Sequence, residues 1–191
     1  MTRHDPRSDE SLIEAMNNGD TRAFEVLYHR YRDWVYRLAC RFTGDDEEAL
    51  DVLQETFAYF LRKFPGFTLT AKLTTFLYPA IKNRAMDRIR IKKRYMSGEK
   101  IFETIGKPPD TRPNSLEGLA SLLHCLPPGQ YEVLIMRFVD EMKLDEIAAA
   151  LNIPLGTVKS RLHNALKTLR TDERTRAYFE KNIQHTAEGN G

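Results

Sequence analysis

The sequence predicts an all-α chain of two small helical domains joined by a flexible linker, the C-terminal domain being a helix-turn-helix of winged-helix-like kind. Three observations predict it. Apolar residues recur at steps of three and four through most of the 191 residues, the spacing of amphipathic helices rather than strands. A stretch at 97–115, SGEKIFETIGKPPDTRPNS, holds three prolines and two glycines and loses that period, which marks a linker. Residues 144–170 split into two short apolar stripes around Asn152, Ile153 and Pro154, the pattern of two helices joined by a tight turn. The expected domains are therefore residues 1–96 and 116–191, with 97–115 between them.

In order, Ser8 or Asp9 can cap a short helix running through Met16, and Gly19 suits its end. Asp20 then caps a longer helix with Leu27, Tyr31, Trp34, Val35, Leu38 and Phe42 on one wide apolar side. The next helix opens with an acidic cluster, since residues 44–55 hold six acids and no base, and acids near a helix start complement its positive end. Leu50, Leu53, Phe57, Phe60, Leu61 and Phe64 form its expected buried stripe. Projected at about 100° per residue, Asp51 and Glu55 point away from that stripe with Gln54 on its shoulder. On composition alone this is a solvated polar face or a partner-facing one.

Residues 65–72, PGFTLTAK, break the helical pattern. The helix after them carries Phe76 and Tyr78, then seven Lys/Arg against the single Asp87 between positions 82 and 94. A charged track beside flat rings suits phosphates and unstacked bases of single-stranded nucleic acid. Equally, Phe76, Leu77 and Ile81 fit simple helix packing. Pro79 falls inside this helix, where it removes one backbone donor and is expected to kink the axis.

Beyond the linker, residues 116–126 read as a helix capped by Ser115. Another at 128–139 has Tyr131, Leu134, Ile135 and Phe138 inward. The helix-turn-helix follows, with Ile147, Ala148 and Leu151 on one stripe and Val158, Leu162, Ala165 and Leu169 on the other. Asn152 is one of few residues besides Gly that tolerates a left-handed turn position, and Pro154 suits the first turn of the second helix. That second helix turns Gly156, Ser160, His163, Asn164 and Lys167 outward, with Lys159 and Arg161 on the flanks. Residues 154–170 hold four Lys/Arg and no acid, which suits a helix lying beside phosphates in a major groove. The tail after Arg170 is expected to continue as helix to Ile183 and then fray.

Net charge is only +2, so any nucleic-acid binding must come from local clusters rather than from a generally basic surface. Cys40 and Cys125 lie far apart with no metal-like spacing, which suggests neither a disulfide framework nor a zinc site. No Ser/His/Asp, Cys/His or metal constellation appears, nor a phosphate-cradling glycine loop, so the sequence points to no enzyme and no cofactor. The start, MTRHDPRSDE, has no apolar core of a signal peptide, and no run approaches a membrane span. A cytoplasmic protein without a membrane partner is expected.

Five segments in order, GDTRAFEVLYHRY, DVLQETF, FLYPAIKNRAMDRIR with the basic residues after it, LPPGQYEVLIMRF and EIAAALNIPLGTVKSRLHNALKTLR, resemble a two-domain RNA polymerase sigma factor of the extracytoplasmic-function group. The resemblance implies a region 2-like domain at 1–96 and a region 4-like domain at 116–191. It implies that the protein binds bacterial core RNA polymerase, recognises minus-thirty-five and minus-ten promoter elements and helps to open the duplex.

By that resemblance Asp51, Gln54 and Glu55 face the clamp coiled coil of the largest polymerase subunit, and the C-terminal domain meets the flap of the second-largest. The loop at 65–72 with Phe76, Tyr78, Lys82, Asn83, Asp87 and Arg88 captures unstacked minus-ten bases. Arg90, Lys92, Lys93 and Arg94 hold phosphates. Lys159, Ser160 and His163 meet minus-thirty-five bases, while Thr157, Arg161 and Lys167 serve mainly as phosphate contacts. An anti-sigma factor is a further partner the family admits. Position 76 is Phe where many relatives carry Trp, and Asn152 replaces the usual turn Gly. The competing expectation is a conventional dimeric helix-turn-helix regulator, which gives the acidic face and the aromatic-basic segment no role; an interaction module that binds no DNA is a second.

Overall fold

The computed structural model describes residues 5–96, 123, 125–173 and 175, with side chains up to Lys92 in the first stretch. The described residues form seven helices and no strand, so no wing accompanies the helix-turn-helix among them. None of these helices is long and apolar enough to cross a membrane. The chain divides into two compact units, Met1–Asp110 and Thr111–Gly191.

Unit 1 contains α1 (Asp9–Asn17), α2 (Thr21–Thr43), α3 (Asp46–Leu61) and α4 (Leu73–Met96). Their ends follow from local chemistry. The Ser8 hydroxyl accepts from the Ser11 N–H at 3.3 Å and the Asp20 carboxylate from that of Arg22 at 2.9 Å. Asp45 accepts from two first-turn N–H groups of α3, those of Glu47 and Glu48, at 3.0 and 3.2 Å. Each satisfies donors that the helix itself leaves without partners. At the other end of α2, Gly44 takes a left-handed φ of 68° and returns its N–H to the Cys40 carbonyl.

Helices α2, α3 and α4 pack mutually, and α1 lies on α2. Leu27, Val35 and Leu38 of α2, Val52, Phe57 and Phe60 of α3 and Leu73, Leu77 and Ile81 of α4 are all buried where the three helices pack together. The buried stripe of α3 differs from the expected one. It consists of Ala49, Val52, Leu53, Thr56, Phe57 and Phe60, an unbroken three-and-four series, while Leu50 and Leu61 are 49 % and 42 % exposed. Hydrophobicity favoured two leucines over a buried alanine and threonine; the packed face is set by the helical angle at which α2 and α4 meet α3. Pro79 sits within α4, which continues through it to Met96.

Unit 2 contains α5 (Pro128–Phe138), α6 (Leu144–Leu151) and α7 (Leu155–Thr171). Pro128 occupies the first position of α5, where its missing N–H has no intrahelical partner to lose. The Glu146 carboxylate reaches back to accept from the Lys143 N–H at 2.9 Å, fixing the start of α6. Asn152 ends α6 at φ 52°, ψ 48°, the left-handed conformation expected of it. Pro154 stands just before α7 rather than inside it.

Leu126, Leu134 and Ala165 form a buried cluster with Leu123, Tyr131, Leu162, Leu166 and Leu169 around it. Phe138, expected inward, is 59 % exposed, and Val133 and Met136 are buried instead. Phe138 is the last residue of α5, so its helical phase alone does not secure a neighbour. The linker at 97–115, all of the expected helix at 116–126 except Leu123, Cys125 and Leu126, and the tail beyond Thr175 lie outside the described residues. Cys40 is half-buried, Cys125 is exposed and neither forms a disulfide.

Candidate nucleic-acid interface

In unit 2 the interface is built on α7. Val158 and Ala165 are fully buried, which fixes the rotation of the helix and turns the opposite face to solvent. Lys159, Ser160, His163 and Lys167 are exposed together, and Gly156 has open space where a side chain would stand. The Ser160 hydroxyl donates to the Thr157 carbonyl one turn back at 3.0 Å; Thr157 itself is half-buried. Arg161 behaves differently. Its guanidinium lies 3.2 Å from the point a Cβ on Gly129 would occupy, so it covers the start of α5 and is half-buried. The result is a compact cationic ridge without a carboxylate, able to meet base edges in a groove about 12 Å wide.

In unit 1 the loop between α3 and α4 rests on a cluster of aromatic rings. Phe60 meets Phe64 and Phe67 edge-on at 5.2 and 5.6 Å, and Phe67 meets Phe76 at 4.9 Å. Phe76 is half-buried, and Tyr59 stacks parallel to it at 5.8 Å. The Lys63 ammonium and the Arg84 guanidinium lie 4.6 and 4.5 Å from the Tyr59 ring centre. Sequence reading did not single out Tyr59; its spacing matches no buried stripe, and only the fold brings Phe76 and Arg84 to it.

Tyr78 is corrected from a base-contacting residue to a core one. It is 1 % exposed, and its ring meets Phe42 edge-on at 6.0 Å. The cause is that α4 packs on both α2 and α3, so its buried arc is wide enough to take in Tyr78 with Leu77 and Ile81. Lys82 is half-buried and Asn83 exposed, while Asp87 pairs with Arg90 at 3.3 Å. The side chains of Lys93 and Arg94 lie outside the described residues.

Arg88 joins two sets of residues that sequence reading kept apart. Its guanidinium binds Asp51 at 2.5 Å, Glu55 at 2.5 Å and Glu48 at 3.4 Å, so a residue expected to face DNA sits on the acidic face of α3. The hydrogen bonds it donates to Glu55, foremost, and to Asp51 raise the Arg88 pKa above its ordinary value. Gln54 is exposed beside them.

A second bridge, Lys92 to Asp45 at 2.6 Å, ties α4 to the α3 cap. The Lys92 ammonium first, then the Glu48 N–H, hold the Asp45 carboxyl below its usual range, and Asp45 in turn raises Lys92. A depressed carboxyl pKa stabilises the fold above the unfolded value and is lost as pH falls through the folded one. The urea midpoint of unit 1 is therefore expected to drop below about pH 4, and Asp45→Asn to flatten that dependence; an unchanged pH profile in the variant would show the bridge to be idle.

Comparison with known proteins gives a consistent result. Residues 27–95 match the family described as "Sigma-70 region 2" and residues 116–169 that described as "Sigma-70, region 4". The chain is 33 % identical over 173 residues to the ECF RNA polymerase sigma factor SigW of Bacillus subtilis, covering 83 % of this chain and 92 % of that one. It is 26 % identical to the RNA polymerase sigma-H factor of Pseudomonas aeruginosa, covering 84 % and 91 %. Among solved structures, CnrH in complex with the cytosolic domain of CnrY matches with a TM-score of 0.63 at 22 % identity, covering 91 % of this chain and 97 % of that one. RpoE of Bartonella quintana, in complex with the anti-sigma factor NepR, matches at 0.60 and 19 % identity, covering 84 % and 98 %. These two show a shared fold.

Proposed function

This chain belongs to the extracytoplasmic-function sigma factors of bacterial RNA polymerase, proteins that recognise promoters, and from that premise we propose how its residues divide the work. Residues 1–96 bind core polymerase and the minus-ten element, 97–115 tether, and 116–191 read the minus-thirty-five element. The observation that carries this is the exposed, acid-free face of α7 held outward by buried Val158 and Ala165.

On that face Lys159, Ser160 and His163 meet base edges, with Thr157 and Lys167 on phosphates. Arg161, lodged against Gly129, positions α5 relative to α7 and offers what remains of its edge to a phosphate. In the N-terminal part Asp51, Gln54 and Glu55 face the clamp coiled coil of the largest subunit. Phe76, Lys82 and Asn83 lie on the side of the loop that takes up unstacked bases, Arg90, Lys92, Lys93 and Arg94 follow the backbone, and Arg88 is held by the carboxylates of α3, with Asp87 beside it.

Sigma factors are not enzymes. Strand opening draws on exchanging base stacking and pairing for contacts with the protein rather than on hydrolysis. The factor works where polymerase does, in the cytoplasm. An anti-sigma factor, of the kind solved with RpoE of Bartonella quintana, would act by covering these same faces.

The test is in vitro transcription by core polymerase with this protein over a promoter library. Initiation confined to templates sharing two spaced elements is expected. Failure to associate with core, or dimeric binding to palindromic duplexes, would overturn the reading. The dimeric regulator is not favoured, because it leaves the acidic face of α3 and the aromatic cluster without a task.

A further inference from the structure

Asn17 ends α1, yet its side chain serves a segment about fifty residues away. The carboxamide oxygen accepts from the Gly66 N–H at 2.7 Å and the Phe67 N–H at 3.1 Å, and the amide nitrogen donates to the Phe67 carbonyl at 2.8 Å. Two backbone donors require the oxygen on one side and one carbonyl requires the NH2 on the other, which fixes the orientation of the amide.

The end of α1 does not depend on this side chain. The Asn18 N–H already reaches the Glu14 and Ala15 carbonyls, that of Gly19 reaches Met16, and that of Asp20 reaches Ala15. What Asn17 fixes is the loop. Gly66 there has φ +98°, a conformation that needs glycine, and Phe67 is seated against Phe60, Phe64 and Phe76. Just beyond, Thr68, Thr70, Ala71 and Lys72 are exposed before Leu73 returns to the core. The base of the loop is thus locked and its outer half presented to solvent.

We propose that Asn17 is a positioning residue for promoter opening: without touching DNA, it holds residues 66 and 67 so that the outer loop is already shaped to receive a base leaving the duplex. A loop ordered in advance does not give up conformational freedom when the strand arrives. The inference rests on the assignment of this loop to unpaired minus-ten bases.

The experiment uses holoenzyme reconstituted from core polymerase and the full chain, and promoter DNA with an unpaired minus-ten segment. The non-template strand is left intact or carries a single abasic site at each position in turn. Wild-type holoenzyme is expected to lose affinity sharply at one abasic position. Asn17→Ala should bind the intact probe on the order of tenfold more weakly, as expected for losing such hydrogen bonds. It should then be indifferent to the abasic site at that position, with core association and minus-thirty-five duplex binding unchanged.

Asn17→Asp, which keeps an acceptor for both N–H groups but sets a charged oxygen against the Phe67 carbonyl, should show the same abasic-site signature and decides the matter if the alanine variant folds poorly. Wild-type affinity in Asn17→Ala, or an equal loss on the intact probe and on every abasic probe, would overturn the proposal by leaving Asn17 a merely structural role. Wild-type holoenzyme indifferent to every abasic site would instead overturn the assignment of the loop itself.

Discussion

Replacing Phe60 by alanine is expected to destabilise unit 1 by about 3–5 kcal/mol, the usual cost of deleting a fully buried phenyl ring. The ring is 0 % exposed and meets Phe64, Phe67 and Phe76, so the cavity would open beneath the loop between α3 and α4. Whole domains are stable by only about 5–15 kcal/mol, and a unit this small has little in reserve. Urea denaturation of the purified chain measures the loss. The neighbouring Leu61→Ala is the control: at 42 % exposure it should move stability by no more than about 0.5 kcal/mol. Equal losses at both positions would mean that the α3 stripe faces elsewhere than described.

Asp51→Arg is expected to weaken association with core polymerase by roughly a hundredfold or more, because it replaces a partner-facing carboxylate by the opposite charge. The substitution also sets two guanidinium groups together, since Asp51 lies 2.5 Å from Arg88. Arg88→Gln separates the two effects. It removes the internal competitor for Asp51, Glu55 and Glu48 while leaving all three carboxylates in place, so core association should persist. Co-purification or fluorescence anisotropy with labelled core measures both variants. Normal association of Asp51→Arg would remove α3 from the polymerase interface.

The two halves of the molecule were legible to different depths. In the helix-turn-helix, Asn152 at a left-handed turn, the buried Val158 and Ala165 and the outward Lys159, Ser160 and His163 all agree with the sequence reading. There the stripe is narrow, the turn is chemically marked and each helix has a single buried side. In unit 1 the period was right and the phase was not: Ala49 and Thr56 took places assigned to Leu50 and Leu61, and Tyr78 went inward. A helix packed between two others buries a wide arc, and hydrophobicity alone does not say where that arc is centred.

The order of the described helices, the caps at Ser8 and Asp20 and the acid-free face of α7 are local properties, and the sequence by itself determined them. Caps act within three residues and stripes within a few turns, so neighbours along the chain suffice. The tertiary structure alone decided that Arg88 of α4 would hold the acidic groups of α3, that Tyr59 would stack on Phe76, and that Asn17 would fasten residues 66 and 67. Each of these joins residues 17 to 50 positions apart. Such pairings depend on how helices cross and where a loop comes to rest, which no local period encodes.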